Sequence, residues 1–190
     1  MSANATPAPV VVAMRLLGFF AAAIGALVAG LGTLQEWVEV GLQGNPADVI
    51  SPGHLGVELP EGKIVLALAV VALIAVLGAR IGRAGSRRTS AMVVLIAGFG
   101  IVGLTTLATL TIAGRLERDA AEELAFPGAG LSNEPIAEIA KLLDGRTRSG
   151  IWSTTAGGAG VVVGGLLTLA WARRAAMAPE PSMVPPDVAD

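Results

Sequence analysis

The sequence predicts an all-α fold: a four-helix transmembrane bundle with both termini cytoplasmic and a short extracytoplasmic helix between spans three and four. Three observations predict it. The 190-residue chain is 53% hydrophobic and 15% charged, with a mean hydropathy of +0.69, whereas a soluble domain carries about 25% charged residues. Four segments can cross about 30 Å of hydrocarbon at about 1.5 Å per helical residue. Their apolar cores, Leu16–Leu34, Ile64–Ala79, Ala91–Ala113 and Ile151–Ala172, contain no Asp, Glu, Lys, Arg or His.

Residues 1–12 are rich in Pro and Ala and bury too little to order themselves, so a disordered cytoplasmic tail is expected there. Asn4-Ala5-Thr6 has the form of a glycosylation sequon but falls on the cytoplasmic side, where it is a chance match. Span one covers about 13–34. Its apolar run exceeds the roughly 7–15 residues of a signal-peptide core, so it is expected to be retained. The outer loop that follows, Gln35 to Gly62, carries turn signals at Gly44-Asn45-Pro46, Pro52-Gly53 and Pro60-Glu61-Gly62. It is expected to be irregular, with room for one short strand pair. Span two, 63–81, is short between Lys63 and Arg80, which can snorkel their charges outward.

Span three covers 90–113, and the helical composition of Arg115–Leu124 carries it past the membrane until Pro127-Gly128 stops it. A second outer helix follows. Asn133 can cap it, Pro135 suits its first turn, Ile136, Ile139, Ala140 and Leu143 form one apolar stripe, and Gly145 ends it. A helix of about ten residues is not stable alone, so it must rest on the membrane surface or on the other loop. Span four covers 151–172, and the Pro-rich residues 175–190 form a second disordered cytoplasmic tail.

Orientation follows from the cations. The linker after span two holds Arg80, Arg83, Arg87 and Arg88 without an acid, which marks it as cytoplasmic. Alternation then puts seven Lys and Arg against three acids inside, and six against twelve outside. Trp152 and Trp171 stand 19 residues apart, about 28 Å along a helix, and Trp37 lies just beyond span one. These three, with Lys63 and Arg80, are the expected membrane-interface anchors.

Several chemistries are excluded. With no cysteine there are no disulfides, thiolate metal ligands or thiol nucleophiles. Thirteen cations against fifteen acids give no basic excess, so no nucleic acid partner is expected. His54 stands alone in a loop and makes no zinc site. The glycines at 157, 158 and 160 sit inside a span, where they signal packing and not phosphate binding. No cofactor and no metal are expected, and no catalytic residue is assigned.

Small residues recur at fourth positions: Gly18, Ala22, Ala26 and Gly30 on span one, and Ala156, Gly160, Gly164 and Thr168 on span four. Such faces predict close pairing of spans one and four, or of either with a partner chain. On spans three and four the polarity is hydroxyl, from Thr105, Thr106, Thr109, Thr111, Ser153, Thr154, Thr155 and Thr168, as helix glue or as a polar pore lining.

Trp37, the run Glu61-Gly62-Lys63-Ile64-Val65-Leu66 and the pair Gly150-Ile151-Trp152 followed by Ala156-Gly157-Gly158 give the chain a resemblance. It resembles the small four-span membrane proteins of actinobacteria grouped as tryptophan-operon-associated membrane proteins, over the layout of residues 13–174. That resemblance implies a four-helix membrane bundle with outer loops, from a family of uncharacterised activity. Eleven Arg against two Lys, with abundant Ala, Gly and Val, agrees with a GC-rich bacterial source. Trp37 also makes the layout similar to the claudin-like four-span proteins, whose paired loop cysteines are missing here.

The sequence therefore predicts a non-enzymatic multi-pass protein of the bacterial cytoplasmic membrane. Its expected role is accessory, assembly or scaffold subunit, with the lipid bilayer and a membrane protein or second copy as partners. The alternatives are an oligomeric small-solute transporter or channel lined by Thr105, Thr109 and Ser153, and an outer-leaflet enzyme using Glu36, Glu39 and His54. Glu36 and Glu39, read as one helical turn apart, are the pair that could serve as acid and base or hold a divalent cation.

Overall fold

The computed structural model describes residues 9–81, 84–124 and 133–177. The sequon at Asn4, Arg83, the Pro127-Gly128 stop and most of both expected tails lie outside them. The elements run α1 (Pro9–Gly32), β1 (Glu36–Leu42), β2 (Asn45–Leu55), a 3-10 turn (Gly56–Glu58), α2 (Pro60–Ile81), α3 (Ala84–Leu124), α4 (Asn133–Ala140), β3 (Leu143–Thr147) and α5 (Ser149–Met177).

Helices α1, α2, α3 and α5 are each long and apolar enough to cross a membrane, and the chain is a multi-pass membrane protein. Their packing follows the rule for lipid. Bulky Leu17, Phe20, Ile24, Ile74, Ile96, Phe99 and Leu110 are exposed on the outside, while Ala22, Ala29, Ala69, Ala72, Ala97 and Ala108 are buried between the helices. Lipid chains solvate large apolar groups as well as a protein core does, so small residues go where backbones must approach.

The helices overrun the expected spans. α1 begins at Pro9, inside the segment assigned to the N-terminal tail, because proline is tolerated at a first helical position and the valines after it continue the apolar run. α5 continues to Met177, into the expected C-terminal tail, on the helix-favouring Arg173-Arg174-Ala175-Ala176. α3 is one helix of 41 residues, about 61 Å long, so its last turns stand beyond the bundle as the composition of Arg115–Leu124 implied.

At the end where α1 and α3 lead out and α2 and α5 begin sits a three-stranded antiparallel sheet of order β2-β1-β3. The sequence reading left room for one strand pair; the third strand comes from the stretch expected to finish the outer helix. α4 stops at Ala140, and Leu143 and Gly145 belong to β3, in register with Leu42 and Val40. Trp37, Val38 and Val40 are strong strand formers, and a hairpin alone is marginal, so β1 recruits a partner on each side. Between β1 and β2, Gly44 takes φ +89°, a turn geometry that L side chains rarely adopt.

The sheet is fastened to the bundle by one cluster of Trp37, Val38, Val65, Ile101, Ile112 and Ile151. A second, of Ala26, Ala72, Val76, Val94, Ala97 and Val161, fills the other half of the bundle. A third joins Val40 and Leu143 to Ala120 and Ala121 of α3, with Ile136 and Ile139 of α4 against it. The stripe on α4 thus lies on α3 and the sheet.

Candidate functional site

Helices α1 and α5 form the closest seam in the molecule. An added methyl at Gly18 would lie 2.9 Å from Thr168 Oγ1, one at Gly25 would lie 2.6 Å from the Val161 nitrogen, and one at Gly160 would lie 3.2 Å from the Gly25 Cα. Ala22 faces Gly164 and Ala29 faces Gly157 in the same way. Spans one and four do pair, along a line of Gly18, Ala22, Gly25, Ala29 and Gly32 that differs in part from the expected one. Ala26 is buried toward α2 with Ala72 and Val76, and Gly30 faces Leu66 and Ala69 of α2 at ordinary contact distance. Ala156 is exposed, and Gly157 takes its place in the seam.

Where the seam meets the sheet, Trp37 is fully buried. Its indole nitrogen donates 3.0 Å to the Gly32 carbonyl at the end of α1, and its ring lies against Gly56 and Gly150. It is a core residue of the sheet–bundle junction and not a headgroup anchor, because β1 turns back over the bundle instead of running along the interface. Glu39 beside it is 6% exposed and accepts a hydrogen bond from Arg148, an ion pair tying β1 to the start of α5. The hydrogen bond and charge of Glu39, with a smaller contribution from Glu36, hold the Arg148 guanidinium above its ordinary pKa.

The expected Glu36 and Glu39 pair does not form. Both lie on strand β1, where residues three apart point to opposite faces. Glu36 is exposed, and His54 has its Nδ1 3.8 Å from Glu58 Oε2 on the neighbouring segment. Among the described residues no three His, Asp or Glu side chains gather as a metal set.

The hydroxyls donate within their own helices. Thr105 reaches the Ile101 carbonyl at 3.0 Å, Thr109 the Thr105 carbonyl at 2.8 Å, Ser153 the Gly150 carbonyl at 3.0 Å, and Thr168 the Gly164 carbonyl at 2.8 Å. Thr106, Thr111, Thr154 and Thr155 do the same one turn back. Ser153 also lies 3.1 Å from Gln35 Oε1.

At the end away from the sheet, Trp171 is 9% exposed. The Arg15 and Arg87 guanidiniums lie 5.1 and 5.6 Å from its ring centroid. Arg80 is exposed and stacks 5.1 Å over Phe19. Trp152 is 58% exposed on the outside of α5, and Lys63 is exposed on the first turn of α2. The sequence reading missed Arg148 as the partner of Glu39 and Arg15 as the cover of Trp171; both pairings join residues more than a hundred positions apart.

The class defined by this architecture is a multi-pass α-helical membrane protein with a small strand-bearing head on one end of its bundle. No family model matches the chain, and no curated protein matches it.

Proposed function

We propose that this chain is a non-enzymatic accessory, assembly or scaffold subunit of a bacterial cytoplasmic membrane. The observation that carries the reading is how the buried polar side chains are used. Among the described residues these are Thr33, Glu39, Thr105 and Thr154. Each is held by a partner, the threonines by helix carbonyls and Glu39 by Arg148. Groups committed to structure in this way are poorly placed to move protons, ions or substrate. The head is cross-braced to the bundle by Trp37 and the Glu39–Arg148 pair, and beneath it the Arg115–Glu61 pair at 2.6 Å ties α3 to α2, which suits a surface that presents itself to another protein.

In this reading the sheet end faces outward and the Arg15, Arg80, Arg88 and Arg174 end faces the cytoplasm, together with both chain termini, by the positive-inside rule. A solute path lined by Thr105, Thr109 and Ser153 gains no support, since those hydroxyls already bond to carbonyls.

The test is purification from native membranes in mild detergent with identification of associated chains. One partner or a second copy in reproducible stoichiometry is the expected result. Recovery of monomer alone, or solute flux through liposomes holding the pure protein, overturns the reading. A reporter fused behind Arg88 is expected to be active on the cytoplasmic side only.

A further inference from the structure

Between the four helices, at the end away from the sheet, a cavity of about 210 Å³ opens outward. Its walls are Val76 and Ala79 of α2, Ala91 and Val94 of α3, and Leu16 and Phe19 of α1, with Thr168 and Trp171 on the α5 side. Arg15 and Arg80 stand in its lining. The space exists because the α1–α5 seam makes a close contact at Gly18 and Thr168, while beyond it short Ala79 and Ala91 face bulky Phe19 and Trp171.

The wall chemistry selects the occupant. The one hydroxyl in the lining, that of Thr168, already donates to the Gly164 carbonyl. Water would find few polar partners there, and apolar cavities favour apolar guests. The mouth has the opposite character. Arg15 and Arg80 each lie with the guanidinium over an aromatic ring, which holds the head in place and leaves its N–H edge able to fork onto a phosphate. Every carboxylate of the described residues sits toward the sheet end, so no acid of those residues neutralises these two cations. An apolar funnel with fixed guanidiniums at its rim is complementary to an anion that carries a hydrocarbon tail.

We propose that this cavity binds one acyl chain of an anionic phospholipid, with the phosphate held between Arg15 and Arg80. The lipid completes the packing of this end of the bundle, and the phosphate supplies the negative charge that the described residues lack there.

The experiment uses the full chain in detergent, with phosphatidylglycerol, phosphatidylcholine of the same acyl chains, or glycerol phosphate added. Bound lipid is counted by native mass spectrometry, and thermal unfolding is followed in parallel. One phosphatidylglycerol is expected to bind about tenfold more tightly than phosphatidylcholine, and replacing Arg15→Gln with Arg80→Gln removes that preference. Ala79→Phe, which fills the funnel and keeps both charges, is expected to abolish the tightly bound lipid, so the proposal remains testable if the arginine variant fails to fold. Arg88→Gln with Arg173→Gln, an equal loss of two charges at exposed sites outside the lining, and Arg88→Gln alone are both expected to leave binding within about twofold. Equal binding of the two lipids, or a loss in either of these variants as large as that of the Arg15 and Arg80 double variant, overturns the proposal. So does glycerol phosphate competing as well as the whole lipid, or lipid binding untouched by Ala79→Phe.

Discussion

The indole nitrogen of Trp37 donates a 3.0 Å hydrogen bond to the carbonyl of Gly32. That carbonyl belongs to the last turn of α1, where the Gln35 N–H donates to it at 3.2 Å and the indole supplies a second donor. A side chain from the first strand therefore closes the end of the first span, and the ring doing so is fully buried against Gly56 and Gly150. Strand, cap and core contact are one residue's work.

Trp37→Phe keeps an aromatic ring but removes the indole donor, leaving the Gly32 carbonyl to the Gln35 N–H alone. It is expected to lower stability by about 1 kcal/mol, and Trp37→Ala by about 3–5 kcal/mol. Thermal unfolding in detergent reads the loss. An unchanged midpoint for Trp37→Ala would mean the ring is not part of the core.

The seam makes a sharper comparison. Gly25→Leu and Gly157→Val drive side chains into backbone of the facing helix and are expected to prevent α1 and α5 from pairing. Gly30→Ala meets only ordinary contacts, at 3.7 Å from Leu66 Cδ1, and Ala156→Leu points away from the bundle; both are expected to stay within about 0.5 kcal/mol of wild type. A disulfide-trapping series between cysteines placed on α1 and α5 checks the pairing directly.

The contrast between Gly30 and Gly25 shows what periodicity alone could read. At about 100° per residue, steps of four advance about 400°, so a strict fourth-position pattern drifts about 40° per step around the helix. From Gly18 it leaves the seam at Ala26 and Gly30, whereas the observed spacing alternates four and three and stays on one face. The spans, the extension of α3 and the start of α4 were legible because hydropathy and punctuation are local. The sheet was not. β1 follows an apolar helix directly, β2 contains Pro46, Pro52 and Gly53 that read as turns, and β3 pairs with β1 across about a hundred residues. Spacing Glu36 and Glu39 as one helical turn, within a loop expected to be irregular, also created their pair. No local pattern points to Arg148 as the partner of Glu39.

Arg148→Met leaves the Glu39 carboxylate nearly buried without its cation. The Arg148 side chain is 46% exposed, so solvent softens the loss, and Arg148→Met is expected to destabilise the fold more than Glu39→Gln does. A double-mutant cycle measures the coupling. Because Glu39 raises the folded pKa of Arg148, the arginine contribution is complete below its unfolded pKa and is lost only as pH rises through the still higher folded one. Denaturation between about pH 6 and 9 is expected to show no pH dependence that Arg148→Met removes.

The outer corner of the head, β3 with α4, is expected to open before the bundle does. Ala121 is fully buried where α3, β1, β3 and α4 meet, and the Gly145 N–H donates 2.7 Å to Glu117 Oε1 of the same helix. Ala121→Asp puts a charge into that cluster with no cation beside it in the cluster, at a cost of about 3 kcal/mol or more. The damage stays local, because the cluster shares no buried residue with those that hold the four spans together. Hydrogen exchange is expected to show β3 and α4 losing protection while the middle turns of α1 and α5 keep theirs. Equal loss in all of them would mean that head and bundle unfold as one unit.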